Sequence, residues 1–207
     1  HAQSPAAQFN LGMAYYWSGR VGDAARTWRG VATNDPDSAE SVEAENLLYP
    51  GDAKGLPFIV TPIAVPSAPS IGAQLSRAAR AAQNGDAVAK LRYGLVLWQL
   101  WHRVSAEKQF DAAAKLAPND PVMQTVAAVG AFTKRAPARA FGRLGPLTAT
   151  FPHAAVVRFH LALLLVWTKQ PAKALAQLRI TIADEPRSLY AKEARKLLAA
   201  LGQHGTK

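Results

Sequence analysis

The chain has 207 residues, of which 49% are hydrophobic, and its 24 Lys and Arg against 14 Asp and Glu give a formal net charge of +10. It contains no cysteine, which excludes disulfide bridges, thiol nucleophiles and thiolate zinc sites. Its longest apolar run, residues 161–167, is far shorter than the roughly 20 residues that span a bilayer.

Prolines recur at a fixed spacing along the chain. Pro118, Pro152 and Pro186 are 34 residues apart, and Pro36 lies 82 residues before Pro118, which is two such periods plus 14 residues. A period of this length is typical of stacked helical hairpins, because each hairpin is too small to bury its own apolar face. The spacing therefore predicts one all-α solenoid domain over residues 1–207. Its five units are expected at about 5–38, 39–86, 87–120, 121–154 and 155–188, with a capping helix at 188–201.

The first unit, with helices expected near 5–17 and 20–33, carries the clearest repeat pattern. The matching positions are Gln8, Leu11, Gly12, Tyr15, Gly19, Ala24, Trp28 and Pro36. They resemble the tetratricopeptide repeat, W-x2-L-G-x2-Y followed by A-x3-F and P, with Gln8 in the place of the usual Trp. This resemblance implies a right-handed α-solenoid of about five helical hairpins, in which the first helices line a concave groove.

The second unit departs from the period because a proline-rich insertion separates its two helices. Those helices are expected at 37–48 and 71–84, and the insertion occupies residues 49–70. Its five prolines preclude a helix, and most of its other residues are apolar, with only Asp52 and Lys54 charged. A segment of this composition is expected to lie on an apolar protein surface rather than in water.

The later units keep the pattern with less fidelity. In the third unit, Tyr93 and Gly94 stand at the L-G positions and Phe110 at the large position of the second helix. Helices are expected near 87–99 and 103–116, 120–132 and 137–149, and 154–167 and 171–184. The helix at 188–201 carries leucines on one face and charges on the other, which is typical of a solvated cap on an open stack.

The resemblance assigns the concave groove to residues of the first helices, which are largely apolar and aromatic. They are Phe9, Met13, Tyr16, Trp17, Leu91, Leu95, Trp98, Thr125, Val129, Phe132, Phe159, Leu163 and Trp167. A simpler interpretation is that these residues are ordinary core between hairpins. We expect the insertion to fold into the groove, as a permanent brace or a displaceable plug, because a tethered segment acts at roughly millimolar effective concentration. This hypothesis requires contact with Trp17 or Trp98.

The groove composition also indicates the kind of partner. Co-chaperones of the tetratricopeptide family grip a carboxylate with Lys and Asn, whereas Phe9 and Met13 hold the corresponding positions here. An apolar peptide or protein segment is therefore the expected partner, held by a few aromatic anchors. Acidic character in that segment would complement the basic end of the chain.

Positive charge is concentrated in the C-terminal part of the chain. Residues 1–120 contain 11 Lys and Arg and 11 Asp and Glu, whereas residues 121–207 contain 13 and 3. A basic stripe is expected along one helix. It comprises Lys134, Arg135, Arg139 and Arg143. The alternative function is therefore an electrostatic tether to nucleic acid or an anionic membrane, and it is less favoured because the basic residues are scattered and form no recognised nucleic-acid-binding module.

The residues offer little support for catalysis. The five histidines form no H-x-x-x-H pair, and Asp and Glu are scarce in the basic half of the chain. His160 lies inside an expected helix and is interpreted as an ordinary helix residue. We therefore predict a non-catalytic interaction scaffold, or adaptor, with no metal and no cofactor.

Overall fold

The computed structural model describes residues 4–204, with side chains from 4 to 202, and this part of the chain forms eleven α-helices and no strand. The helices are α1 Pro5–Trp17, α2 Val21–Asn34, α3 Ala39–Leu48, α4 Ile71–Gln83, α5 Ala87–Gln99, α6 Arg103–Leu116, α7 Pro121–Gly130, α8 Ala138–Thr150, α9 Ala155–Trp167, α10 Pro171–Asp184 and α11 Leu189–His204. Their bounds lie close to those expected from the proline period. The prediction of an all-α solenoid of helical repeats is confirmed.

Several helices begin at residues that cap them locally. The side chains of Ser4, Ser38 and Ser70 accept hydrogen bonds from backbone N–H groups in the first turns of α1, α3 and α4. Asp86 and Asp120 do the same for α5 and α7. These bonds satisfy N–H groups that have no partner within the helix, so each start is determined by its own short sequence.

Units one, three and five join their two helices by the same tight turn. Gly19, Trp101 and Lys169 occupy its left-handed position, with φ of 78°, 63° and 59°. The following N–H then bonds a carbonyl five residues back, as Arg20 does to Tyr15 at 2.9 Å. Glycine adopts this conformation at no steric cost, whereas it is uncommon for a tryptophan or a lysine.

The hairpin interiors depend on small residues facing large ones. The helices α1 and α2, α5 and α6, α7 and α8, and α9 and α10 pack as pairs. A Cβ atom added to Gly94 would lie 2.5 Å from the ring of Phe110, and one added to Gly12 would collide with the indole of Trp28. Glycine at these positions therefore lets the two helices of a hairpin approach each other closely.

The second unit differs from the expected hairpin. Both of its helices are present, but α3 packs against α2, while α4 packs against α5, and the two do not pack as a pair. The insertion is the physical reason, because its 22 residues (49–70) carry the chain from one stack of helices to another. The helices α1–α3 thus form an N-terminal stack, and α4–α11 form a C-terminal stack.

The N-terminal stack is attached to the start of α6. The side chain of Asp37 accepts hydrogen bonds from the Ser105 N–H, at 2.8 Å, and from the Ser105 hydroxyl, at 2.5 Å. The N-cap residue of α6, His102, makes no side-chain capping bond of its own. Asp37 therefore caps α6 from a distant part of the chain, and a buried ion pair between Arg103 and Glu45, at 3.9 Å, adds to the junction.

The last helix covers the end of the stack. α11 packs against α10 and α9, and Tyr190 and Ala194 enter the same core. Leu197, Leu198 and Leu201 pack partly buried against this core. The predicted capping helix is therefore confirmed.

Candidate functional site

The middle of the insertion, residues 56–65, lies on the first helices of the C-terminal stack and is held there by hydrogen bonds. The indole Nε1 of Trp98 donates to the carbonyl of Pro57 at 3.0 Å. The Nε of Arg92 donates to the carbonyl of Ala64 at 3.0 Å. Because Trp98 lies at the C-terminal end of α5 and Arg92 in its middle, the segment runs along this helix from the C-terminal end towards the N-terminal end.

Apolar side chains of this segment enter the core. Leu56, Ile59, Ile63 and Val65 pack against the cluster built by α5, α6 and α7, and Val60 packs against the cluster built by α7 to α11. On the opposite side of the segment, the Phe58 side chain is 74% exposed. The segment therefore has an inward apolar face and an outward face, as a peptide bound in a groove would have.

His160 forms a third hydrogen bond to the segment. Its Nε2 accepts from the Val60 N–H at 3.1 Å, and its Nδ1 lies 2.8 Å from the carbonyl of Val156. Because a carbonyl can only accept, the proton resides on Nδ1 and leaves Nε2 free to accept. Burial lowers the pKa of His160 to about 4, so the ring is neutral near pH 7.

Sequence analysis missed this role of His160. Its partner is a backbone N–H 100 residues away, so no local spacing connects the two groups. In addition, the sequence pattern of α9 does not distinguish a buried histidine from an ordinary helix residue.

The predicted groove residues of the later units are mostly buried. Leu91, Leu95, Trp98, Thr125, Val129, Phe132, Phe159 and Trp167 are buried, and Leu163 is half-buried. Phe132 and Trp167 meet edge to face, with ring centroids 5.8 Å apart. The expected contact of the insertion with Trp98 is present, and most of the apolar positions fall in two core clusters, one around α5 and α6 and one around α9.

The predicted groove residues of the first unit are placed differently. Tyr16 and Trp17 are 51% and 77% exposed, so the insertion does not cover them. Phe9 and Met13 pack partly buried against the core of the N-terminal stack around Trp28. Of the two tryptophans named in this hypothesis, the insertion bonds Trp98, whereas Trp17 lies on α1, which belongs to the other stack.

The predicted basic stripe does not form as one exposed surface. Arg139 pairs with Glu107 at 2.8 Å, and Arg143 pairs with Glu107 and with Asp111. Arg135 precedes α8 and lies in the loop after α7, rather than on the helix as expected. The cations of α8 are thus partly neutralised by the carboxylates of α6.

Lys134, the remaining member of the stripe, is only 8% exposed. Its Nζ donates to the Asn46 side-chain oxygen, which also accepts from the Gly55 N–H at 2.9 Å. Burial lowers the pKa of Lys134, and the nearby carboxylates of Glu45 and Asp52 oppose that effect. This lysine therefore joins α3 and the insertion to the C-terminal stack instead of facing solvent.

Within residues 4–204, none of the helices combines the length and apolarity needed to cross a bilayer. The same described part of the chain holds no group of three or more His, Asp or Glu side chains arranged for a metal ion.

Comparison with known proteins matches the first unit to a family. The sequence profile of the tetratricopeptide repeat matches residues 6–38. A similar solved structure is that of YrrB, described as a tetratricopeptide-repeat protein with an unusual peptide-binding site. It shares 15% identity over 93% of this chain and 92% of that chain, with a TM-score of 0.47. Another is the Cut9–Hcn1 hetero-tetramer of APC/C, at 16% identity over 97% of this chain and 43% of that chain, with a TM-score of 0.28. No curated protein matches the sequence.

Proposed function

Because residues 6–38 match the tetratricopeptide repeat and the described chain is a stack of helical hairpins, we propose that the protein is a non-catalytic scaffold that binds an extended, apolar segment of a partner protein. The binding site is the concave groove formed by α5, α7 and α9, which residues 56–65 occupy in the free chain. One observation carries the proposal: this groove already holds an extended peptide through side-chain hydrogen bonds to its backbone.

The bonds to the segment suit a partner of different sequence. Trp98 and Arg92 bond carbonyls and His160 bonds an N–H, so none of the three bonds depends on a side chain of the bound segment. Specificity then comes from the inward apolar positions, such as Ile59 and Ile63. A partner that presents apolar side chains at the same spacing would keep all of these interactions.

We propose that the segment is a displaceable plug. A cavity of about 220 Å³ lies beside it, lined in part by Phe58, Trp98 and Trp101. An aromatic or aliphatic side chain of an incoming partner fits this edge while the plug is still in place. From there, the partner competes with the tethered segment for the groove. Its affinity must outweigh a segment that is present at a roughly millimolar effective concentration.

The test removes residues 56–65 from the groove and then offers the same sequence as a separate peptide. Residues 56–65 are replaced by a Gly/Ser linker of equal length, and a labelled synthetic peptide with the sequence of residues 56–65 is titrated against this variant and the unchanged chain by fluorescence anisotropy. Saturable binding to the variant, and at least tenfold weaker binding to the unchanged chain, is expected. A folded variant that does not bind the peptide would show that the segment is a permanent part of the core.

Two substituted peptides provide the matched control. Alanine in place of Ile59 removes an inward side chain and is expected to weaken binding about tenfold, because a buried aliphatic side chain contributes roughly 1.5–3 kcal/mol. Alanine in place of Phe58 changes an exposed side chain and is expected to leave affinity within about twofold. Equal losses would indicate binding away from the groove.

The electrostatic tether has less support than groove binding. Arg139 and Arg143 are paired with carboxylates, and Lys134 is buried. Salt separates the two functions, because binding to nucleic acid or anionic lipid weakens steeply as ionic strength rises. Peptide binding in the apolar groove is expected to change little between 50 and 300 mM salt, concentrations chosen for the titration across the Debye screening range of roughly 5–14 Å.

A further inference from the structure

A cavity outside the groove lies at the junction of the two stacks. It has a volume of about 330 Å³ and is lined by α2, α3 and the loop between α7 and α8. Arg29 and Thr33 come from α2, Glu45 and Tyr49 from α3 and its C-terminal end, and Arg135 from the loop. Both stacks therefore contribute an arginine to the lining of one cleft.

The cleft contains more hydrogen-bond donors than acceptors. Among the described residues, the side chains of Arg29, Arg135, Thr33 and Tyr49 have no hydrogen-bond or ion-pair partner. The only carboxylate in the lining is that of Glu45, which is 6% exposed and lies 3.9 Å from the guanidinium of Arg103, outside the lining. Two guanidinium groups and two hydroxyls thus remain available to a ligand.

Several other arginines of the described chain are paired within the protein. The neighbouring arginines of α8, Arg139 and Arg143, are satisfied by carboxylates of α6. Arg77 and Arg92 donate to backbone carbonyls within the insertion, those of Ser67 and Ala64. A partly enclosed cleft with two free guanidinium groups and free hydroxyls therefore suits an anion that brings its own acceptor oxygens.

We propose that the cleft binds a small ligand that presents a carboxylate on a short apolar body. Arg29 and Arg135 would hold the carboxylate oxygens, and Ala32 and Leu48 would contact the apolar body. The buried carboxylate of Glu45 favours a singly charged carboxylate over a doubly charged phosphate, because repulsion from Glu45 grows with the charge of the ligand. Such a ligand would bridge the two stacks and stabilise their junction.

The experiment uses the full chain and two probes that differ only in charge. N-acetylleucine carries a carboxylate on an apolar body, and N-acetylleucine amide is its neutral counterpart. Titration followed by backbone amide NMR shifts is expected to show saturable binding of the acid, with the shifts concentrated at residues 29–33, 45–49 and 133–136, and no saturable binding of the amide. Binding of the amide with equal affinity would overturn the proposal.

Matched arginine substitutions test the location. Arg29→Gln and Arg135→Gln are each expected to weaken binding of N-acetylleucine about tenfold or more, because each removes a charge-assisted hydrogen bond. Arg179→Gln removes an exposed arginine on α10, likewise without a partner among the described residues, and is expected to change affinity less than twofold. Equal losses in all three variants would show that only the overall charge of the chain matters.

Two further measurements complete the test. Inorganic phosphate is titrated in the same way, and tighter binding of phosphate than of N-acetylleucine would overturn the assignment to a carboxylate. Saturating N-acetylleucine is also expected to raise the melting temperature of the unchanged chain, and not that of the Arg29→Gln, Arg135→Gln double variant. A similar rise in both would contradict binding in the cleft.

Discussion

Matching positions of the repeat lie in opposite environments in the two stacks. Tyr16 and Trp98 are each the next-to-last residue of a first helix, yet they are 51% and 6% exposed. Trp17 and Trp167 are each the last residue of a first helix and are 77% and 9% exposed. The insertion covers the C-terminal stack and leaves α1 uncovered, so a position within the repeat does not by itself determine burial.

The interiors of the hairpins, by contrast, are alike in both stacks. Gly12 faces Trp28 in the first unit, and Gly94 faces Phe110 in the third. Ala24 is completely buried at the same kind of helix contact in the first unit, as is Ala106 in the third. The repeat therefore determines the contact within each hairpin, and the insertion determines which residues of the first helices are covered.

The largest difference between the stacks is expected for the aromatic residues of the groove. Trp98→Ala is expected to lower the free energy of unfolding by about 3–5 kcal/mol, because it removes a buried indole and its bond to Pro57. Trp17→Ala is expected to change it by less than about 0.5 kcal/mol. Urea unfolding of the two variants measures both free energies. Similar losses would contradict the expectation that only the buried indole stabilises the fold.

Acid is expected to destabilise the C-terminal stack through His160. The folded chain keeps this ring neutral because burial lowers its pKa to about 4, whereas the unfolded chain takes up a proton below about pH 6.5. The contribution is therefore complete above pH 6.5 and is lost as the pH falls to 4, by up to about 3 kcal/mol. The ring of Tyr190, 6.0 Å away, is neutral throughout this range, since the ordinary pKa of tyrosine is about 10 and burial raises it further.

Unfolding free energies of the unchanged chain and of His160→Leu, measured at pH 7 and at pH 4.5, test this expectation. The variant is expected to lose less stability between the two pH values, since it lacks the titrating imidazole and retains every Asp and Glu side chain. Parallel losses in both proteins would show that His160 does not titrate in the way its burial indicates.

The hairpin interiors are expected to respond equally in both stacks. Gly12→Ala and Gly94→Ala are each expected to cost about 1–3 kcal/mol, because the added methyl group collides with a buried ring. Gly22→Ala meets no atom within 4 Å and is expected to be neutral or slightly stabilising. Thermal unfolding compares the three variants, and a large cost confined to one stack would contradict a shared hairpin interior.

The junction between the stacks is expected to show the smallest effect. Asp37→Ala removes the cap that the N-terminal stack supplies to α6 and is expected to cost about 0.5–2 kcal/mol. The nearby Asp35→Ala serves as a control, because the Asp35 side chain makes no bond among the described residues. Faster hydrogen exchange in the first turn of α6, in the Asp37 variant only, would localise the effect.

Much of the fold could be predicted from the sequence because it depends on local signals. The prolines at 34-residue intervals, the capping serines and aspartates, and the small residues opposite large ones each act within one hairpin. The site was predicted only in part. The apolar insertion and the aromatic positions of α5 were recognisable, since both are visible in composition and spacing.

The rest depended on contacts between distant residues. The neutral His160 accepts from the Val60 N–H across 100 residues, and Asp37 caps a helix that begins 66 residues later. The buried Lys134 donates to Asn46, which lies on α3. Helix boundaries and hairpin interiors follow from neighbours in the chain, so the sequence by itself determined them. The separation of α3 from α4, the exposure of Trp17 and the pairing of the α8 arginines were decided only by tertiary structure, because each depends on which surface the insertion covers and which carboxylates lie opposite.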